Sequence, residues 1–179
     1  ETTTEYMINP LIENRWSPRV FGTEAISEEQ LRVLFEAGRW APSSNNHQPW
    51  VIIWGVKGTD AYDRIFSCLD EFNQSWASNA QVIILGGYKK TTPDGKDNFH
   101  ALHDLGLFMG NVSLQAQQLG IALHQMAGVN YKKAMREFSL PDNYHIATAT
   151  AIGYYGGDLD KLSDDLQEEE TKLRSRKSQ

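Results

Sequence analysis

Residues 98–119 carry the constraint that narrows the fold most. Leu102, Leu105, Met109, Val112, Ala116 and Leu119 recur at helical spacing, and Leu107, Phe108 and Leu114 lie off that stripe. A helix that is apolar on more than one side must be covered on more than one side. At 1.5 Å per residue it spans roughly 33 Å, the width of a small domain. It is therefore expected either as a central helix or as one shared with a second subunit.

The remaining chain supplies strands and shorter helices to cover it. Ser27-Glu-Glu-Gln30 is a capping box, followed by Leu31, Leu34, Phe35 and Gly38 at helical spacing, and Pro42 stops that helix. Residues 4–14 read as a short helix with Pro10 as a flaw in its middle, and 60–71 as a helix capped by Asp60. Strands are predicted at 50–56, 82–85, 121–125 and 145–154, the last with Ala147, Ala149 and Ala151 on one face. A further helix is predicted at 131–138. Thr91-Thr-Pro-Asp-Gly-Lys96 is a turn-rich loop. The charged segment 163–177 is either a solvated helix or an arm reaching out of the body. No repeat or boundary divides the chain, so one domain over 1–179 is expected, with about 160–179 as an arm or extension.

Composition excludes several classes of partner. A net charge of −6 argues against nucleic acid, whose phosphates need a basic surface. No apolar run approaches the length of a membrane span, and the N-terminus lacks a leader pattern. Cys68 is the only cysteine, so neither an intrachain disulfide nor a thiolate cluster can form, and a cytoplasmic location is expected. The sequence begins at Glu1 without Met and is expected to be a piece of something longer. Gly-x-Gly-x-x-Gly, Gly-x4-Gly-Lys-Ser/Thr and Gly-x-Ser-x-Gly are all absent.

Two polar segments stand out against this background. Ala41-Pro-Ser-Ser-Asn-Asn-His-Gln-Pro-Trp50 holds eight Pro, Ser, Asn, His or Gln residues between a helix and a strand, which suits a polar, planar ligand. Arg15-Trp-Ser17-Pro-Arg19 puts two guanidiniums and a hydroxyl within five residues, a plausible phosphate clamp because Arg binds phosphate oxygens through paired, charge-assisted hydrogen bonds. Pro18 fixes its own φ and biases Ser17 to extended geometry, which stiffens the clamp. Taken alone, Arg15 and Arg19 read equally well as surface ion-pair partners, and Pro-Ser-Ser as a helix-ending turn.

Together, Arg15-x-Ser17-x-Arg19 and Pro42-Ser-Ser-Asn-Asn-His-Gln-Pro-Trp50 resemble the signature of the FMN-dependent nitroreductase family. The resemblance implies an α+β, nitroreductase-like fold. Its central, mainly antiparallel sheet is flanked by helices around a long central helix, in an intertwined homodimer. It implies that Arg15, Trp16, Ser17 and Arg19 contact the phosphate, ribityl and pyrimidine edge of FMN. Pro42, Ser43, Ser44 and Asn46 would reach the flavin of the other subunit, and Gln48 could bond the ring edge. Asn73-Gln-Ser-Trp76, expected in a helix-to-strand loop, is similar to the family's Asn-x-x-Trp. There Asn73 would bond the isoalloxazine, and Trp76 is either a pocket wall or core. Gly120–Gly128 resembles the strand and loop over the flavin face, so Met126, Ala127 and Gly128 would lie against it, with backbone N–H groups at Ala127 and Gly128 aimed at N5 and O4. Arg174 and Arg176 resemble a basic pair that completes the phosphate site.

The implied activity is transfer of hydride from NADH or NADPH to flavin N5 and on to a small-molecule acceptor, a nitroaromatic or quinone, by ping-pong kinetics. No side chain is assigned a catalytic role, because the flavin carries the chemistry. Relatives of this architecture also oxidise, dehalogenate or dismantle flavin, and a flavin-binding protein without turnover is the further alternative. His100 and His103 share a helix face with Asp104 but make no convincing metal motif. Phe99, His100 and His103 are expected near a substrate opening.

Overall fold

In the computed structural model, which describes residues 4–178, four strands form one antiparallel sheet. These are β1 (Trp50–Val56), β2 (Val82–Lys89), β3 (Ile121–Met126) and β4 (Tyr144–Tyr154), in the order β1-β2-β4-β3. The register runs Trp50 opposite Tyr88 to Val56 opposite Val82 on one side of β2, and Ile121 opposite Tyr154 to Met126 opposite Ala149 at the other edge. β2 is buried from Val82 through Gly87, which is why its sequence is a continuous apolar run: both faces of the sheet are covered.

Helices α2 (Glu28–Arg39) and α5 (Ala101–Gln118) cover one face, where Leu31, Leu34, Leu105, Phe108, Met109 and Val112 meet Val82, Ile84, Leu123 and Ile152. The other face takes α3 (Asp60–Phe66), α4 (Glu71–Ala77), α6 (Tyr131–Glu137) and α7 (Asp164–Thr171). From these elements Tyr62, Ile65, Trp76, Ala134 and Leu166 meet Ile83, Leu85, Ala122 and Ala151. The long helix is thus central, as its two-sided apolarity requires. Its expected stripe is modified: Phe108 is buried against Trp50 at 5.2 Å, whereas Leu102 is 57% exposed.

Other departures have local causes. Within 4–14 only α1 (Pro10–Asn14) is helical, because Pro10 lacks an N–H and fits the first turn, while the Asn9 side chain accepts from Leu11 N. The helix expected over 60–71 ends at Phe66, and a second one, Glu71–Ala77, begins where it was expected to stop. Thr59, not Asp60, caps the first, and Asp70 caps the second, which carries Asn73 and Trp76, so these residues are helical rather than in a loop. In β4, a register shift between Gly86 and Gly87 of β2 leaves Ala147 unpaired as a bulge. Ala147 consequently sits with the α5 side of the core, and Ala149 and Ala151 with the opposite side.

Two glycines set how closely the layers approach. A Cβ on Gly38 would fall 2.5 Å from the ring of Phe108. One on Gly55 would strike the backbone nitrogen of Tyr62 and fall 2.6 Å from the carbonyl carbon of Ala61, so β1 and α3 touch main chain to side-chain space. Backbone cannot yield as a flexible side chain can. Gly55→Ala is therefore expected to lower the unfolding free energy by about 1–3 kcal/mol, measured by urea titration. An unchanged midpoint would show that the two elements separate freely.

Candidate active site

The stretch after α1 runs over the end of β3 rather than into solvent. Pro18 is buried, and its carbonyl accepts from His124 Nδ1 at 3.0 Å, the tautomer following from a carbonyl being an acceptor only. His124 packs on Trp76, ring centroids 4.5 Å apart, and Trp76 is fully buried core. Burial pushes His124 down to about 4, only partly opposed by its bond to Pro18, with Arg19 and Arg15 lowering it further. It is a neutral strut beneath the segment.

On that strut the cations gather. Arg15 Nη1 donates to Ser17 Oγ at 3.2 Å. Arg174 reaches back from the C-terminal segment, donating to Arg15 O at 2.6 Å and Glu13 O at 2.9 Å. Desolvation lowers the pKa of Arg15, Tyr155 opposes this, and Arg174 and Arg176 lower it further. Among the described residues none of these three guanidiniums forms an ion pair with a carboxylate. A partly desolvated guanidinium with two others beside it, and no ion pair among the described residues, is a candidate anion site. Trp16 stacks on Tyr155 at 6.0 Å, and the Tyr155 hydroxyl donates to Gln117 Oε1 at 2.6 Å.

Arg19 is placed differently. Its N–H donates to Glu170 Oε1 at 2.8 Å and its Nη1 lies 3.5 Å from Oε2. The Glu170 side chain is 2% exposed, and its burial raises its pKa more than Arg19 lowers it. Arg19 Nε is buried without a partner. This residue ties α7 to the clamp, while Arg15 holds the free cationic face.

The second cluster lies where β3 ends. Asn73, 6% exposed, donates through Nδ2 to Gly128 O at 3.1 Å, and Asp70 N donates to the same carbonyl at 3.0 Å. A Cβ on Gly128 would collide with Asp70 Oδ2 and Asn73 Nδ2, so only glycine fits. Met126 is buried and Ala127 exposed. Because His124 and Met126 share β3, the clamp and this glycine loop are held by one strand.

The Pro42–Gln48 segment is a strained loop. Asn45, Asn46 and Gln48 have φ of 48°, 55° and 47°, left-handed values unusual for residues with a Cβ. Gln48 N donates to Ser43 Oγ at 3.1 Å, and Gln48 Nε2 donates to Asn46 Oδ1 at 3.0 Å. Ser44 N donates to both oxygens of Asp104, at 3.2 and 3.3 Å. Beyond the loop, His47, Gln48, Trp50, Lys89, Asn98 and Tyr144 line a cavity of about 260 Å³. Phe99 is 86% exposed with its ring edge toward His100. Among the described residues no three His, Cys, Asp or Glu side chains gather as a metal site.

Sequence reasoning missed Tyr155 and Glu170, which meet Trp16 and Arg19 across 139 and 151 residues and leave no local signal. It considered Asp104 only as a metal ligand; a carboxylate one residue from the buried Leu105 was the clue to an interior role.

A covered antiparallel sheet, with a cluster of guanidiniums that form no ion pair among the described residues and a glycine loop at the end of its edge strand, makes this an α+β protein with a candidate anion site. The nitroreductase family model matches residues 12–67 and 55–154, and the chain belongs to the nitroreductase family. It is 26% identical over 148 residues to a provisionally named NADH dehydrogenase/NAD(P)H nitroreductase of Archaeoglobus fulgidus, covering 80% of this chain and 83% of that one. A similarly named Streptomyces coelicolor protein is 24% identical over 157 residues, covering 76% and 77%. Among solved structures, an oxidoreductase containing FMN superposes with a TM-score of 0.90 at 31% identity, covering 97% of this chain and 90% of that one. A provisionally named Desulfovibrio desulfuricans nitroreductase in complex with FMN gives 0.70 at 26%, covering 83% and 87%.

The buried neutral His124 sets a pH dependence. Its folded pKa lies below the ordinary 6.5, so its contribution to stability is complete above that value and is lost as pH falls toward about 4. The loss amounts to roughly 3 kcal/mol. Glu170, raised by burial, acts in the opposite sense. Comparing the wild type with His124→Asn, which retains a donor for Pro18 O, isolates the histidine. The fall in Tm between pH 7 and pH 4.5 should be smaller in the variant, and equal falls would contradict the assignment.

Proposed function

We propose that this chain is an FMN-dependent oxidoreductase that uses NADH or NADPH to reduce electron-poor small molecules, nitroaromatics or quinones, with ping-pong kinetics. The observation that carries this reading is the cluster of half-buried Arg15 with Arg174 and the exposed Arg176, none of which forms an ion pair among the described residues. A flavin phosphate bears close to two negative charges, which such a cluster accommodates. The residues present fit the group in a second respect: Asn73 and the Asp70 N–H pin the Gly128 carbonyl, so the backbone of that loop is held in one place for a ring. FMN in two similar structures supports the same cofactor here.

Arg15, Ser17, Arg174 and Arg176 would hold the phosphate, Trp16 the ribityl side, and Arg19 would keep the clamp seated through Glu170. Asn73 fixes the loop of Met126, Ala127 and Gly128, whose backbone would face the ring. When bound, FMN supplies the redox chemistry, accepting hydride at N5 from the nicotinamide and passing electrons to the acceptor. The protein's part is to bind, orient and exclude water.

A homodimer belongs to this reading, because Pro42, Ser43, Ser44, Asn46 and Gln48 would complete the partner's site. Exposed Leu102, and open space above Gly106 and Gly110 on the same face of α5, support a second copy against that side. One FMN-binding domain over the chain, working in the cytoplasm where NAD(P)H is available, completes the proposal.

Arg15→Ala should weaken FMN binding by about ten- to a hundredfold, the equivalent of one charge-assisted contact. Adding Arg176→Ala should weaken it further. Flavin fluorescence titration reads the dissociation constant and sedimentation the oligomeric state. Unchanged FMN affinity in the double variant would refute the clamp, and a monomer binding FMN normally would refute the shared site.

A further inference from the structure

Asp104 lies in the first turn of α5 with its side chain 2% exposed. Interior carboxylates are rare because desolvation costs several kcal/mol unless the charge is matched. The one basic side chain within 4 Å of it among the described residues is His103, whose Nδ1 is 3.5 Å away and whose own side chain is 68% exposed. Its hydrogen bonds go to one donor, the backbone N–H of Ser44, through both oxygens. Apolar packing cannot account for a carboxylate at this position, and helix capping cannot either: the N–H it takes belongs to a loop 60 residues away.

That loop needs holding. Three of its residues with side chains occupy left-handed backbone, each at a cost of about 1–3 kcal/mol. Ser43, just before the held N–H, is extended at φ −143° and ψ 156° and closes the loop through Gln48 N. Asp104 therefore grips the loop at the point where it leaves the extended conformation and enters the 3₁₀ turn Ser44–Asn46. The same helix presents exposed Leu102, Gly106 and Gly110 on its outer side. One rigid element thus carries both the anchor of the loop and an open face.

We infer that Asp104 is the positioning residue of the active site: it fixes the Ser43–Gln48 loop on α5, in the shape that meets the flavin of a second copy. This rests on the flavin reading above. Asp104 touches no cofactor and acts through Ser44 alone, so it sets cofactor affinity without taking part in electron transfer.

The test compares Asp104→Ala and Asp104→Asn with the wild-type dimer by two independent measurements. Amide hydrogen exchange over residues 43–48 reads the loop without flavin, and flavin fluorescence reads FMN affinity. Asp104→Ala should raise exchange in the loop and weaken FMN by about tenfold, with the dimer and the exchange of β2 unchanged. Asp104→Asn retains an oxygen that accepts from Ser44 N–H and should recover most of both, including where the alanine variant does not fold. Faster loop exchange with unchanged FMN affinity would overturn the inference, as would unchanged loop exchange in Asp104→Ala. Wild-type protein that takes up no FMN would instead refute the flavin reading itself, with the exchange result standing apart.

Discussion

Arg15 is partly withdrawn from water among cations of its own sign, and that unfavourable arrangement organises the rest of the site. Desolvation and the nearby Arg174 and Arg176 depress its pKa, and among the described residues it forms no ion pair with a carboxylate. The fold sustains this through neutral contacts. Arg174 is held by two backbone carbonyls, Arg15 by Ser17 Oγ, and Pro18 by an imidazole kept uncharged by burial. Glu170 is turned to Arg19 and the backbone, not to Arg15. An incoming dianion would relieve the repulsion, so cofactor binding and local stability are coupled.

The sheet makes this geometry precise in space. β3 carries His124 under the clamp and, two residues on, Met126 at the start of the glycine loop. Its antiparallel pairing with β4, and β4's with β2, buried from Val82 through Gly87, fixes the strand laterally. α4, the helix that was expected to be a loop, brings Asn73 and Asp70 together onto Gly128 O. A helix serves better there than a loop would, since the side chain that pins the glycine backbone is itself on a rigid element. On the opposite face α5 does the same for the Ser43–Gln48 loop through Asp104.

Much of this was legible because it is local. The capping box at Ser27, the β1 strand and the two-sided apolarity of 98–119 each follow from spacing alone, and the structure places them as read. The Arg15–Arg19 and Pro42–Trp50 motifs pointed to the family whose model matches residues 12–67 and 55–154. What escaped was decided by tertiary contacts or by competing caps. Two side chains able to cap, Thr59 and Asp70, start separate helices, and the first ends at Phe66. A single bulge moved Ala147 to the other face. Glu170 claimed Arg19 from 151 residues away, so a guanidinium that reads as a phosphate ligand in sequence is also a structural tie.

The central claim is a flavin reductase, and the absorbance spectrum of the purified protein, followed by anaerobic NADH and then NADPH, tests it most directly. The account predicts flavin bands, present on isolation or after adding FMN, that bleach with at least one nucleotide and return on adding a quinone or nitroaromatic. A protein that remains colourless after incubation with excess FMN would contradict it.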